Sequence, residues 1–170
     1  MRPGAHYNQN YAPIAAWESM RILIYTVIRT NWKTMKIYYM LAFTQAPVKR
    51  ECYMNAPKGI EVQSDTRWVL KVKKNIHGQH QSGRVWNKLL LGKLTSSAVR
   101  FRKIKIYECV LYQGEIMYIL YNADYILAGQ DDGELRQIVA EIKVAGLDIT
   151  EEGNIEDFLG VNIYKVGSET

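Results

Sequence analysis

Cysteine is scarce in this chain. Cys52 and Cys109 are its two cysteines among 170 residues, and no Cys-x-x-Cys spacing occurs. A disulfide framework is excluded, and the pair reads as buried thiols in a reducing compartment. Long apolar runs are also missing. The longest, Ile22 to Ile28, is interrupted by Thr26 and falls far short of the roughly 20 residues that span a bilayer. Met1-Arg2-Pro3-Gly4 is not followed by an apolar signal region. The reading is an intracellular protein, of cytoplasm or nucleus, with no membrane partner. There is no internal repeat and no low-complexity segment.

Acidic residues are sparse over most of the length. Residues 1–110 hold 19 Lys and Arg against 5 Asp and Glu, a net of +14. Residues 111–170 hold 3 against 12, a net of −9, so the overall +5 hides a strong asymmetry. A basic stretch beside an acidic one points to a polyanionic partner, although charge also simply decorates solvent faces.

What remains is ordinary for a globular fold: 48% apolar and 23% charged residues. A chain of this size buries roughly 70% of its unfolded surface, enough for one domain with a core. After Pro13 a helix is expected, with Trp17, Met20, Ile24, Val27 and Ile28 inward, Glu18, Arg21 and Arg29 in water, and Asn31 as its end. Met35 to Phe43 alternates as a strand, with Met35, Ile37, Tyr39, Leu41 and Phe43 on one face and Lys36, Tyr38, Met40 and Ala42 on the other. Gln45 to Gly59 is a looped excursion with a short strand near Cys52 to Met54. Arg67 to Lys74 alternates again, Trp68, Leu70 and Val72 inward, Arg67, Lys71 and Lys73 outward. That cationic stripe suits a phosphate backbone, and equally suits edge protection of a sheet.

A helix is expected from Ser82 to about Leu94, buried through Val85, Trp86, Leu89, Leu90 and Leu94. Strands follow at Cys109 to Gln113, Glu115 to Tyr121 and Tyr125 to Ala128, with a turn at Gly114. Asp131 or Asp132 caps the next helix, whose stripe is Leu135, Ile138, Val139 and Ile142 and whose stop is Gly146. A last strand is expected at Phe158 to Tyr164. From Met35 the order is strand, helix, two hairpin-paired strands, helix, strand. That is an α+β, ferredoxin-like, split β-α-β-β-α-β plan.

Asn122-Ala123-Asp124 separates the two most apolar strands and reads as a hairpin tip. An aspartate there is ordinarily a turn former. His77 and His80 lack a third ligand nearby, so zinc is not favoured. Trp17, Trp68 and Trp86 fall on apolar faces and read as core rather than as base-stacking platforms. Asp131 and Asp132 lie roughly 10 Å or more beyond the tip along an extended strand.

Five ordered blocks carry a family resemblance: YAPIAAWESMRIL, LAFTQAPVKRECYMNAPKG, WVLKVKKNIHGQHQSGRVWNKLL, LYNADYILAG and EDFLGVNI. Together they resemble copia-type retrotransposon reverse transcriptases, RNA-directed DNA polymerases, from Arg2 to about Ile163. The resemblance implies a polymerase palm at residues 35–43 and 75–164, with fingers-like additions at 1–34 and 44–74, within one domain spanning 1–170. It implies Mg²⁺ as cofactor and an RNA or DNA template–primer as partner. The family's first palm strand reads Asp-x-x-x-Ala-Phe, which places Tyr38 at the aspartate and Phe43 at the residue that excludes a ribose 2′-hydroxyl. The family's helix block is matched at Gly78, Gln81, Arg84 and Trp86, implying nucleotide and template contacts from Gly78, Gln81 and Arg84 beside Phe43. Its Tyr-x-Asp-Asp tip is here Tyr121-Asn122-Ala123-Asp124. Asp124 is thus one of three family metal ligands, with Tyr38 and Ala123 at the other two positions.

Two Mg²⁺ ions about 4 Å apart clamp the reacting oxygens in polymerases, and carboxylates normally fix them. One carboxylate is too few, so the expectation is an incomplete metal site and no polymerisation. The fingers strands that precede this region in the family, and the thumb and ribonuclease H domain that follow, are expected to be missing. Two other readings stay open. One is a non-catalytic nucleic-acid-binding module gripping phosphates through Arg67, Lys71 and Lys73 with Gln81 and Arg84; the other is a non-functional retroelement remnant.

Overall fold

A computed structural model describes residues 11–13, 15–49, 51–57, 59, 68–121, 124–153, 155, 157–158 and 161–162, with backbone alone at 121, 124, 157, 158, 161 and 162. In chain order the elements are α1 (Trp17–Thr30), β1 (Lys33–Tyr39), α2 (Ala42–Gln45), β2 (Tyr53–Asn55), β3 (Val69–Lys71), α3 (Ser82–Leu94), β4 (Arg102–Lys103), β5 (Val110–Gln113), β6 (Ile116–Tyr121), β7 (Asp124–Gly129), α4 (Asp132–Val144), β8 (Ile149–Gly153), β9 (Asp157–Phe158) and β10 (Val161–Asn162). The fold is mixed α+β with an antiparallel sheet. Its described residues fall into two compact units, one of 11–12 and 41–90, the other of 13–40 and 91–162. No helix among the described residues is long and apolar enough to cross a membrane.

The second unit is built on a six-stranded sheet in the order β4-β5-β6-β7-β1-β8, every neighbouring pair antiparallel. Period-two alternation places Met35, Ile37 and Tyr39 of β1 in the core. In β7, Tyr125 to Ala128 are all buried, so both faces of this strand are covered and the alternation vanishes. Helix α4 lies against β7 and β1. Its buried residues Leu135, Ile138, Val139 and Ile142 are the ones that helical spacing predicts. Asp132 and Glu134 in its first turn offset the positive end of the helix dipole. Gly146, at φ 81°, takes the left-handed position that ends it. Asp131 occupies the N-cap position but makes no side-chain capping bond.

Three side chains organise the core of the sheet. Tyr39 and Tyr118 share a hydroxyl–hydroxyl hydrogen bond of 2.8 Å. The Tyr125 ring stands edge-on to Tyr39 at 4.5 Å and is tilted against Tyr118 at 6.1 Å. Burial holds both hydrogen-bonded phenols well above their ordinary ionisation range. Tyr118→Phe removes one partner of this pair and is expected to cost about 1–2 kcal/mol. Adding Tyr39→Phe is expected to cost less than a second such step, because the bond is already gone. Denaturant melts of the two single variants and the double variant test this; strict additivity would show that the hydroxyl pair is not coupled.

Several faces differ from the sequence reading. Helix α1 does end at Asn31, which is left-handed at φ 53°. Its buried residues are Ser19, Met20 and Leu23, whereas Trp17 is 43% exposed and Ile28 is also in water. Apolar residues ring this helix, so spacing alone could not select the face that meets β6 and β7. Strand β1 stops at Tyr39, and Leu41 turns left-handed at φ 47° to start α2. Leu41 is therefore exposed and Phe43 sits on a short helix rather than on the strand face.

The strand that flanks β1 on its far side is β8, not the expected Phe158 to Tyr164. Residues 157–158 and 161–162 instead form the separate β9–β10 pair, and 163–164 lie outside the described residues. In β8, Ile149 is the single buried residue, so the strand lacks an apolar alternation to betray it. Its register on β1 also shifts between Lys36 and Ile37.

In the first unit, β2 and β3 form a two-stranded ribbon that pairs Tyr53 with Lys71 and Asn55 with Val69. Trp68 is 56% exposed and Leu70 is exposed, contrary to the inward placement expected. A two-stranded ribbon has no second layer of its own, so alternation here does not mean burial. Trp86 of α3, by contrast, is buried as expected. Asn75 is fully buried and donates from Nδ2 to the carbonyls of Ala46 and Pro47, at 3.0 and 3.1 Å, pinning the chain after α2.

Cys109 is buried as expected, but Cys52 is only half-buried. Burial, reinforced by the Glu108 carboxylate, pushes the Cys109 thiol up to about 11. Since the thiolate is the reactive form, one thiol is expected to react with a disulfide reagent in the folded chain at pH 8. The second should react only on unfolding. Two equally fast thiols would contradict this. The unfolded chain releases the Cys109 proton at lower pH than the folded chain, so this group lowers stability as pH rises from about 9 towards about 11.

Candidate functional site

Strands β6 and β7 form a hairpin whose outermost pair is Tyr121 with Asp124. The connecting residues 122 and 123 lie outside the described residues, as does the reading of Ala123 placed on them. On its other side β7 pairs with β1, and Asp124 stands opposite Tyr38 in that ladder. One further strand across, Tyr38 pairs with Thr150 of β8, whose hydroxyl donates to the Tyr38 carbonyl at 3.5 Å. Three strands thus bring positions 124, 38 and 150 side by side at one end of the sheet. Tyr38 is 37% exposed there.

Among the described acidic residues near this row, Asp148 lies two residues before Thr150, is exposed, and accepts the Met40 N–H at its carbonyl at 3.1 Å. Glu152 lies two residues along β8 from Thr150 and forms an ion pair with Lys36 at 3.4 Å. Glu151 is held by Lys143 at 3.2 Å and by Arg136 at 3.4 Å. Among the described residues, no three His, Cys, Asp or Glu side chains come together. The row therefore offers a phenol and a hydroxyl beside the Asp124 position. Thr150 had no signal in the sequence, because β8 itself had none.

The remaining sequence-derived positions belong to the first unit. The Phe43 ring rests against His77 with centroids 4.8 Å apart. Gly78 has φ 85°, a backbone conformation that disfavours any side chain. Gln81 precedes α3, and its buried Oε1 has no hydrogen-bond partner among the described residues. Arg84, on the first turn of α3, donates from Nη1 to the Tyr11 carbonyl at 3.3 Å. Arg67 lies outside the described residues. Lys71 is ion-paired with Glu51, and hydrogen bonding between them lowers the Glu51 pKa. Lys73 is exposed.

The chain matches the family model described as reverse transcriptase (RNA-dependent DNA polymerase) over residues 1–169. It belongs to that family. Its curated relatives are copia-type Pol polyproteins of plant transposons. It is 25% identical to the retrovirus-related Pol polyprotein from transposon RE2 of Arabidopsis thaliana over 166 residues, 97% of this chain and 11% of that protein. Similar values hold for the Pol polyprotein from transposon TNT 1-94 of Nicotiana tabacum, at 22% identity over 96% of this chain and 12% of the relative. The Pol polyprotein from transposon RE1 of Arabidopsis thaliana is 24% identical over 97% and 11%. The chain thus spans about a tenth of the length of these relatives. No solved structure matches it. The family implies a divalent metal cofactor and a nucleic-acid template.

Proposed function

We propose that this chain is the palm of a copia-type reverse transcriptase, with fingers-like additions, that has lost the metal-holding carboxylates and does not polymerise. The connectivity supports a palm. Strand β1, helix α3, the β6–β7 hairpin, helix α4 and strand β8 follow in that order, and their strands lie as β6-β7-β1-β8. This is the split β-α-β-β-α-β arrangement. Residues 35–43 and 75–164 are read as palm, and 1–34 and 44–74 as fingers-like. The observation that carries the reading is the pairing of Tyr38 with Asp124. It sets position 38 opposite position 124 in the ladder, and the family resemblance has an aspartate at both positions.

When bound, a Mg²⁺ pair would supply charge neutralisation at the transferring phosphoryl group. The donors in this chain do not fit such a pair. Mg²⁺ requires near-octahedral oxygen ligation, usually anchored by carboxylates, and Tyr38 and Ala123 supply none. Positioning and electrostatics provide almost all the catalysis in phosphoryl transfer, and among the described residues no group of three metal-ligating side chains is present to supply them. A primer-extension assay with an RNA template and Mg²⁺ or Mn²⁺ tests the reading. No product is expected, and extension by the purified chain would overturn it.

A second reading, a retained nucleic-acid-binding module, is favoured by one observation: Lys73 is exposed on the segment after β3. Phe43, Gly78, Gln81 and Arg84 would then contact a template–primer without reaction. Binding that weakens steeply with salt supports it; no binding at low salt removes it.

A further inference from the structure

The edge strand β4 and its flanks carry four cations in six residues: Arg100, Arg102, Lys103 and Lys105. Beyond β5, β4 has no strand neighbour among the described residues. All four side chains are exposed. The chain is fixed beneath them. Val99 and Phe101 are buried, Phe101 packs 5.5 Å from Tyr118, and its N–H bonds the Leu94 carbonyl at 2.9 Å. Arg100 between them is left-handed at φ 63°. A side chain in that conformation costs roughly 1–2 kcal/mol, so the surrounding anchors impose it.

Of these four, Arg100 has an acidic partner among the described residues, Glu141 at 3.8 Å. Among the described residues, Arg102, Lys103 and Lys105 have none. Arg102 stands in register with Tyr112 of β5, which is itself exposed. Edge lysines also serve to block sheet-to-sheet pairing. Here the charges are concentrated within at most about 18 Å of chain, on a rigid support, with an aromatic ring alongside.

We propose that this edge is a phosphate-backbone contact for nucleic acid, separate from the β1–β7 row. Three uncompensated cations on an extended segment match a polyanionic strand, and the Tyr112 ring beside Arg102 offers a base a stacking face. The proposal rests on nucleic acid being this chain's partner but not on the state of the metal row.

The test is binding of a 20-nucleotide single-stranded DNA by fluorescence anisotropy across a salt series. The R102Q/K103Q/K105Q chain is expected to bind about a hundredfold more weakly at 0.1 M salt. Its slope of log affinity against log salt should shrink by about 2, from roughly 0.7 per released phosphate contact. Arg102→Lys should keep most of the affinity, and a control with Arg136 and Lys143 changed to Gln should keep the slope. Thermal melts confirm folding, since exposed substitutions change stability by about 0.5 kcal/mol or less. If wild type binds and the triple variant binds equally with the same slope, the proposal falls while the nucleic-acid reading stands. If wild type does not bind at low salt, both fall. Displacement of the DNA by polyglutamate at equal charge concentration would assign the edge to an acidic protein instead and overturn the proposal.

Discussion

The Tyr38→Asp, Ala123→Asp double variant is expected to bind Mg²⁺ where the original chain does not. The β1–β7 register sets positions 38 and 124 opposite each other, so the first change places two carboxylates on adjacent strands. The second adds a carboxylate next in sequence to Asp124. Without metal these like charges repel, which raises their pKa values and destabilises the fold at neutral pH. With metal the sign reverses. At 10 mM Mg²⁺, a site with Kd of about 1 mM adds about 1.4 kcal/mol of stability. For a chain of this length that raises Tm by roughly 3–6 °C. Either single change should give a smaller response. Calorimetric titration with Mg²⁺, paired with melts in Mg²⁺ and in chelator, measures both quantities. A folded double variant with no Mg²⁺-dependent melting would show that carboxylates at these two positions do not make a metal site in this chain.

Tyr125→Ala is expected to be the most damaging single substitution near this row. Tyr125 is 2% exposed and follows Asp124 on a strand held between β6 and β1. Its ring packs on both members of the Tyr39–Tyr118 pair. Truncating a buried aromatic residue costs about 3–5 kcal/mol in lost transfer energy and cavity. That is a large share of the 5–15 kcal/mol by which domains are ordinarily stable. Urea titration of the variant against the original chain measures it. A loss below about 1 kcal/mol would show that the sheet around Asp124 repacks freely and that packing does not hold the β1–β7 register.

The amino-acid sequence by itself determined the elements whose pattern is local. Helix α4 was legible because Leu135, Ile138, Val139 and Ile142 repeat at helical spacing and Gly146 can turn left-handed. The β6–β7 hairpin was legible because two apolar runs flank a short polar link. The place of Tyr38 beside the tip followed from family blocks, and the β1–β7 ladder gives it a register. Other features have no local signature. Strand β8 buries one residue, so its membership of the sheet depends on β1 accepting it. Trp68 and Leu70 alternate as a core strand would, yet the ribbon leaves them exposed. Lys71 meets Glu51 across 20 positions of chain, a pairing made by β2 and β3 rather than by either segment. Periodicity says which residues share a face; only the tertiary structure decides what covers that face, because burial and ion pairing arise between segments far apart in the chain.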